Sequence, residues 1–418
     1  MPHSGSDRRR LQDGIYAGGR DSPDRAYRLL LLNVKRSATL AQARTAITSV
    51  WKMLEELRNG VVRDLRSTRD GVPHAPVPPA ALTGLLGFGA RLFDHDSRLP
   101  PHGNKPTELI ALRQGPNEPF SSLHWTTDGT RAGEADLALQ FIAETELAVN
   151  RAVAEVYRLL VTDALPLEFV ASYGGFNRED KRSWLNFHDG ISNLAPDQRL
   201  TAIEVTVRDP EWMDGGTYMV FLRLALNLET WWRLPREQQE ALVGRDKLSG
   251  CPLQAMSAEL VPVVADGCPL AGGPPENPKY KDPPETRDSV LAVSHIYRAN
   301  PTRLPPSDRT NRIFRQGYEF LESPADGQLR FGLNFVSFQR ALARFTEILT
   351  KDGWLKQVNF AGHTARPIPP PIELARIVAG GYYAIPRKSD PFPGAEIFTE
   401  RSDSRRRPSE AGVARRPP

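Results

Sequence analysis

The sequence has 418 residues, 40% hydrophobic and 25% charged, as expected for a globular protein of one to three domains. Its formal net charge is +4. Residues 401–418 hold six arginines against two acidic residues, so the rest of the chain is neutral and lacks the basic field of a nucleic-acid-binding protein. No apolar run approaches the roughly 18 residues of a membrane span.

The first half of the chain predicts the element order of a ferredoxin-like unit. Thr39 and Gln42 form a capping-box pattern at the start of a helix that Gly60 ends. In chain order, the predicted elements are a strand over 27–34, a helix over 40–57, strands over 81–93 and 135–143, a helix over 149–160 and a strand in 167–173. Strand, helix, two strands, helix and strand is the ferredoxin-like order.

The second half repeats this plan without a close sequence repeat. Its predicted elements are strands over 202–207 and 215–228, a helix over 234–245, loop over 245–294, a hairpin of 311–320 with 329–338, a helix from 339, and coil over most of 364–399. In the long strand, alternating residues from Tyr218 to Leu228 face one way.

The predicted fold class is therefore α+β, with two ferredoxin-like units that have antiparallel sheets and peripheral helices. The predicted domains are a flexible arm over 1–25, an N-terminal unit over 26–175, a C-terminal unit over 176–399 and a disordered basic tail over 400–418. The tail is interpreted as a solvated end, with a docking peptide as the alternative.

The two cysteines, Cys251 and Cys268, each begin "CPL" and have no histidine pair nearby. We expect two free thiols, with a disulfide or a metal site as alternatives. The paired arginines of "DRRRLQDG" precede no apolar signal segment. These features predict a cytoplasmic protein.

Three separated segments place a reactive side chain in an apolar setting: Asp189 in "NFHDGISN", His295 in "LAVSHIYRANP" and Arg315 in "RIFRQGYEF". Each has an ordinary structural interpretation when taken alone. An aspartate before glycine is typical of a turn, a histidine ending an apolar segment is usually structural, and a strand arginine is usually solvated or paired.

Taken together, the segments resemble the dye-decolorising (DyP-type) peroxidases. "FHDGISN" is similar to that family's GxxDG signature, "SHIYRANP" to its "HIRRANP" segment and "RIFRQGYEF" to its "RILRRGYSY" strand. The segments "GGTYMVFLRLALNLETW", "GLNFVSFQRAL", "GGYYAIP" and "PFPGAEIF" follow the family order as well. The resemblance runs from about residue 27 to about residue 399.

The resemblance implies one haem b per chain, held in the second unit with His295 as the iron ligand. It implies a peroxidase that reduces hydrogen peroxide and oxidises dye-like or phenolic donors through a ferryl intermediate. Asp189 would shuttle the proton, and Arg315 would stabilise the transition state. The residues expected around the haem are His295, Asp189, Gly190, Ile191, Arg315 and Phe335.

Some residues keep alternative interpretations. Asn186 replaces the first glycine of the signature, and we expect it to keep the left-handed backbone that the loop requires. His188 would either face solvent or tune the ionisation of Asp189. Glu347 is a candidate hydrogen-bond partner of His295 and equally an exposed helix residue. Bulky donors could be oxidised through Trp231, Trp232 or Tyr218, although ordinary packing is the simpler interpretation of these side chains.

Two other functions compete with the peroxidase. A haem carrier, storage protein or sensor would need His295 but neither Asp189 nor Arg315. A ferredoxin-like dimerisation module without cofactor would need none of the three. We expect hydrogen peroxide and an organic donor as small-molecule partners, neither nucleic acid nor membrane, and a possible homo-oligomer.

Overall fold

The fold is described from a computed structural model. The residues it describes are 10–15, 25–69, 71–73, 75–94, 105–112, 131–206, 210–257, 259, 261–268, 286–299, 312–324, 327–349 and 374–399. The predicted tail lies outside these residues. Of the predicted N-terminal arm, the described residues include 10–15 and 25. The predicted domain boundaries stay predictions.

Ten strands and eight α-helices are seen in the described residues. The strands are β1 Ala26–Val34, β2 Thr83–Gly89, β3 Leu137–Ala143, β4 Leu167–Phe176, β5 Thr217–Leu226, β6 Leu253–Met256, β7 Pro262–Val264, β8 Phe314–Glu322, β9 Arg330–Gln339 and β10 Ala375–Ile385. The helices are α1 Leu40–Arg58, α2 Arg91–Asp94, α3 Glu146–Thr162, α4 Pro196–Ile203, α5 Leu228–Arg233, α6 Arg236–Val243, α7 His295–Ala299 and α8 Ala343–Leu349.

The predicted α+β class and the duplicated ferredoxin-like topology are confirmed. The first four strands lie in the order β4-β1-β3-β2, and four strands of the second half lie in the equivalent order β10-β5-β9-β8. All these pairs are antiparallel. Two short seams close the sheets into one barrel: β10 pairs with β2, and β4 pairs with β8 where Phe176 lies opposite Glu319.

Alternation of side chains along the strands gives the barrel its two apolar layers. In β1, Tyr27, Leu29 and Leu31 join the cluster inside the barrel. Leu30 and Leu32 belong to the outer cluster, which includes the apolar faces of α1 and α3. The predicted capping box of α1 is present, since Gln42 N donates to Thr39 Oγ1 and Thr39 N donates to Gln42 Oε1.

Two predicted elements of the second half are wrong. The strand predicted over 202–207 is absent from its described part, 202–206, because α4 runs to Ile203 and Val205 then exchanges backbone hydrogen bonds with Gly215 and Gly216. The segment 364–399 is not mostly coil where it is described, since β10 pairs with β5 along its whole length. No helix in the described part of the chain has both the length and the apolar character that crossing a membrane requires.

The prediction of two free thiols is also wrong, because Cys251 and Cys268 form a disulfide. The short hairpin of β6 and β7 explains the pairing. Its register places Leu253 opposite Val264, so the residues just before β6 and just after β7 meet at the open end of the hairpin. Both cysteines are buried there.

Candidate active site

The signature segment forms a tight hairpin-like loop between β4 and α4. Ser183 N donates to Phe187 O, and Asp189 N donates to Lys181 O at 3.0 Å. Asn186 has φ +63° and Gly190 has φ +82°, so both adopt the left-handed region. The expectation that Asn186 keeps the backbone shape of a glycine is confirmed.

Arg182 fastens this loop to the turn after α6. Its guanidinium donates to the carbonyl oxygens of Asn186, Lys247 and Leu248. It also lies 2.7 Å from His188 Nε2. His188 is half-buried, and burial together with the charge of Arg182 lowers its pKa. Its imidazole therefore contacts Arg182 and takes part in holding the loop.

Asp189 and Arg315 are brought together, although the first lies in the loop and the second on β8. Arg315 Nη1 is 4.0 Å from Asp189 Oδ1. Asn193 sets this approach, because its side chain accepts from Arg315 N at 3.1 Å and donates to Arg315 O at 2.8 Å. The same amide therefore locks the loop to the strand.

Arg178, which lies two residues after β4, is a closer partner of Asp189. Its Nη2 donates to Asp189 Oδ2 at 2.5 Å, and its Nη1 donates to Glu319 Oε1 at 3.1 Å. Glu319 lies on β8 beyond Arg315 and also accepts from the amide of Trp184 at 2.7 Å. The site thus contains two arginines and two carboxylates in one connected network.

The pKa values of the two carboxylates, Asp189 and Glu319, are shifted in opposite directions. Burial by itself raises the pKa of Asp189, but the charges of Arg178 and Arg315 and the hydrogen bond from Gly190 N outweigh it and hold that pKa well below its ordinary value. Burial raises the pKa of Glu319, and Arg178 with the Trp184 amide offsets this only in part. Asp189 is therefore an anion over the whole physiological pH range.

A half-covered apolar sheet face lies beside the charged groups. On β9, Phe331, Leu333 and Phe335 point outward and are partly exposed, whereas Val336 and Phe338 are buried inside the barrel. Gly317 of β8 pairs with Phe335. A Cβ placed on Gly317 would lie 3.3 Å from Leu333 Cδ1 and 3.9 Å from Asp189 Oδ2, so the missing side chain leaves room beneath the carboxylate.

His295 is the first residue of α7 and is half-buried. Tyr297 Oη donates to Leu253 O at 2.9 Å and anchors this helix to β6. The side chain of Glu347, the candidate partner of His295, lies outside the described residues.

The turn 244–250 lies between α7, which begins with His295, and the loop that carries Asp189. At one end, a Cβ on Gly244 would lie 2.5 Å from Ser294 Oγ, next to His295. At the other end, a Cβ on Gly250 would lie 2.7 Å from Ile191 Cδ1. Arg245, which follows Gly244, also reaches the loop, since its Nη2 donates to Ser192 Oγ at 2.8 Å. Ile191 is thereby held against this turn, and Gly190 is exposed.

Comparison with known proteins decides the family. The family model described as "Dyp-type peroxidase, C-terminal" matches residues 180–389, half of the chain. The chain belongs to the DyP-type peroxidase family. It is 27% identical over 329 residues to the deferrochelatase of Yersinia pseudotuberculosis, covering 73% of this chain and 68% of that protein. It is also 27% identical over 346 residues to the Shigella flexneri deferrochelatase, covering 79% and 71%.

Solved structures of DyP-type peroxidases share the fold. The Cellulomonas bogoriensis enzyme aligns with a TM-score of 0.66 at 23% identity, covering 90% of this chain and 94% of the other. Ferric DtpA from Streptomyces lividans aligns with a TM-score of 0.68 at 21% identity, covering 95% and 96%.

In this member of the DyP-type peroxidase family, Asp189, His295 and Arg315 fall within the span that the family model matches, whereas Arg178 lies two residues before it. Reasoning from the sequence missed Arg178, Asn193 and Glu319. Arg178 stands in the charged stretch "NREDKR" and looks like a solvated turn residue. The signal in the sequence was Glu319, a carboxylate between the aromatic residues Tyr318 and Phe320 of a strand, where a buried charge needs a partner.

Proposed function

We propose that this chain is a haem-dependent peroxidase that reduces hydrogen peroxide and oxidises organic donors, dye-like or phenolic. The observation that carries the proposal is the approach of Arg315 to Asp189, at 4.0 Å, beside a half-covered apolar sheet face. A carboxylate can move a proton between the peroxide oxygens, and a guanidinium can stabilise the charge that develops when their bond breaks. Asp189 already has a closer ion-pair partner in Arg178, so charge neutralisation of Asp189 does not by itself account for the approach of Arg315.

The residues present fit a haem. A porphyrin is flat and mainly apolar, and the outward side chains of Leu224, Leu333 and Phe335 provide a partly exposed apolar surface of matching character. The gap at Gly317 lets a planar group approach Asp189 closely. When bound, the haem supplies the iron that takes up peroxide and passes oxidising equivalents to donors.

His295 would hold the iron of one haem b in the C-terminal unit. An imidazole nitrogen is the usual ligand of peroxidase haem. The support is positional: α7 and the Asp189 loop lie at the two ends of the turn 244–250. Gly190 and Ile191 would border the cofactor from the loop, and Phe335 from the sheet.

Asp189 would accept the proton of bound peroxide at a carboxylate oxygen and return it to the leaving oxygen. The charges of Arg178 and Arg315 hold the pKa of Asp189 below its ordinary value, so its resting form is the carboxylate, which is the form that can accept a proton. Arg315 stays charged at every working pH and would supply the fixed positive charge of the site.

Bulky donors would be oxidised at Trp232. Of the three aromatic residues considered for this role, Trp232 is 59% exposed, whereas Trp231 and Tyr218 are buried. The Trp232 ring lies 6.2 Å from Phe331, and Phe331 lies 5.2 Å from Trp184. This row of rings runs from the surface along the apolar sheet face.

The names of the relatives favour a second candidate. Proteins called deferrochelatases are 27% identical to this chain over most of its length. In that case the same pocket would bind haem, and the iron of the haem would be removed without peroxide. This reaction releases metal-free porphyrin, which is fluorescent. Incubating the haem-loaded protein under anaerobic conditions with an iron chelator and following porphyrin fluorescence distinguishes it from peroxidase turnover.

Haem titration followed by stopped-flow mixing with hydrogen peroxide tests the proposal. We expect a Soret band of a histidine-ligated haem at one haem per chain, and a rapid change of that band on adding peroxide. A chain that binds haem but shows no change with peroxide would be a carrier or a chelatase. A chain that binds no haem would refute all three haem functions.

The compartment stays a prediction. The cytoplasmic location was argued partly from free thiols, and the disulfide Cys251–Cys268 removes that part of the argument because disulfides persist mainly in oxidising compartments. The homo-oligomer likewise stays a prediction.

A further inference from the structure

Arg178 lies between two carboxylates from different segments of the fold. It donates to Asp189 through Nη2 and to Glu319 through Nη1. Only 9% of the Arg178 side chain and 4% of the Glu319 side chain are exposed. Charges removed from water persist when they are paired and hydrogen-bonded. A guanidinium donates from a rigid planar fork, so its bond to Glu319 fixes the direction of the donor that it offers to Asp189.

Glu319 is itself held in place from two sides. It lies on β8, where it faces Phe176 across the seam that closes the barrel. Its Oε1 also accepts the amide of Trp184 at 2.7 Å. The ion pair with Glu319 therefore ties the position of Arg178 to the closure of the barrel.

The two carboxylate oxygens of Asp189 have different hydrogen-bond donors. Oδ2 accepts from Arg178, and Oδ1 accepts from Gly190 N at 2.7 Å. Arg315 remains at 4.0 Å, outside hydrogen-bonding distance. The atom nearest to Arg315 Nη1 in this carboxylate is Oδ1, whereas Arg178 donates to Oδ2.

We infer that Arg178, anchored by Glu319, is a positioning residue that orients Asp189 as an anion and keeps the N–H groups of Arg315 available to the reacting oxygens. The inference rests on the proposed peroxidase function. The charged groups facing Asp189 are Arg178 from the segment after β4, Arg315 from β8 and, behind Arg178, Glu319.

Arg178 and Glu319 also form part of the wall of a cavity of about 610 Å³, which Phe176, Trp184 and Arg25 line as well. Asp189 is not in that lining. The ion pair of Arg178 and Glu319 therefore separates the carboxylate of Asp189 from this cavity. Arg178 and Glu319 thus form part of the surroundings of Asp189 on that side.

The test compares Arg178→Gln with Arg25→Gln. Arg25 lines the same cavity, is 72% exposed and pairs with Glu179. Its replacement therefore removes one guanidinium from the same cavity without removing a partner of Asp189. NMR titration of ¹³C-labelled aspartate in the haem-free protein, with Asp189→Asn to assign the signal, measures the pKa of Asp189. In Arg178→Gln we expect this pKa to rise by about 1 to 3 units, the usual effect of one neighbouring opposite charge. Arg25→Gln should leave it unchanged.

The haem-loaded enzyme gives a second measurement. The acidic limb of the pH profile for the reaction with peroxide should move to higher pH in Arg178→Gln and stay in place in Arg25→Gln. An unchanged pKa of Asp189 in folded Arg178→Gln overturns the inference.

The single variant leaves Glu319 buried without its partner and could fail to fold. The double variant Arg178→Gln with Glu319→Gln removes both buried charges, and it should show the same rise in the pKa of Asp189; no rise in this variant also overturns the inference. A wild-type protein that binds haem but does not react with peroxide would refute the proposed function, while the titration would still decide whether Arg178 controls Asp189.

Discussion

The side chain of Asn193 bonds both backbone groups of Arg315, the residue whose guanidinium lies 4.0 Å from Asp189. The contact joins the signature loop to β8 through main-chain atoms, which leaves the guanidinium unconstrained by it. A distance of this kind favours an electrostatic role for Arg315 and not a structural ion pair, because the short ion pair of Asp189 is made with Arg178.

Replacing Arg315 by leucine should slow the reaction of the haem-loaded protein with peroxide by about 100- to 1,000-fold, the loss typical of one preorganised charge at a transition state. Stopped-flow absorption measures the rate. Arg330→Leu on the neighbouring strand is the control, since Arg330 pairs with Glu322 and not with Asp189. A rate in Arg315→Leu equal to that of the parent would refute the assigned role.

Asp189→Asn should lower the rate less than Arg315→Leu if water can carry the proton. In the haem-free protein it should also change the pH dependence of stability. The folded-state pKa of Asp189 lies below its ordinary value of about 3.9, so its stabilising effect is present above that pH and is lost as the pH falls towards the folded pKa. Because 35% of the side chain is exposed, we expect a cost of only about 1 kcal/mol at pH 7. Urea unfolding at neutral and acidic pH measures it, and a gap that stays constant with pH would contradict the assignment.

Much of the fold could be predicted from local patterns. The capping box of α1, the alternation of β5 and the hairpin of β8 and β9 depend on neighbours in sequence, and each was predicted. The strand β10 was missed because Gly380 and Gly381 interrupt its apolar pattern, and only pairing with β5 makes it a strand.

In the site, too, the residues in local motifs could be predicted and those that depend on long-range pairing could not. Asp189 and Arg315 stand in recognisable motifs, whereas the partnership of Arg178 with Glu319 depends on the seam between β4 and β8, which pairs the strands at a single position. No local pattern encodes that closure. The disulfide was missed for the same reason, since it depends on the register of β6 and β7.

Loss of the disulfide should destabilise the protein. Cys251 and Cys268 are 17 residues apart, and closing a loop of this length is worth about 3 kcal/mol through the entropy of the unfolded chain. The double variant Cys251→Ser with Cys268→Ser should therefore show a lower free energy of unfolding in urea, and reduced wild-type protein should match it. Thiol titration of the denatured protein without reductant should find none; two reactive thiols would contradict the disulfide.

His295→Ala should abolish or greatly weaken haem retention, because the iron would lose its protein ligand. Haem titration followed by absorption measures the affinity and the ligation state. His188→Ala is the matched control, since His188 is a second half-buried histidine whose imidazole contacts Arg182. Equal affinity and an unchanged spectrum in His295→Ala would assign the ligand elsewhere.

Trp232→Phe should slow the oxidation of bulky dyes severalfold and leave the reaction with peroxide unchanged. Phenylalanine keeps a ring against Phe331 but is far harder to oxidise than an indole, so the change removes electron transfer at the surface with little change in packing. Steady-state rates with a bulky dye and with a small phenol measure the two routes. Tyr157→Phe is the control, because Tyr157 is a 55% exposed aromatic residue on α3 that packs on Phe169. Equal dye oxidation by Trp232→Phe and the parent would place the donor site elsewhere, and a loss of both dye and phenol oxidation would assign Trp232 a structural role at the haem pocket.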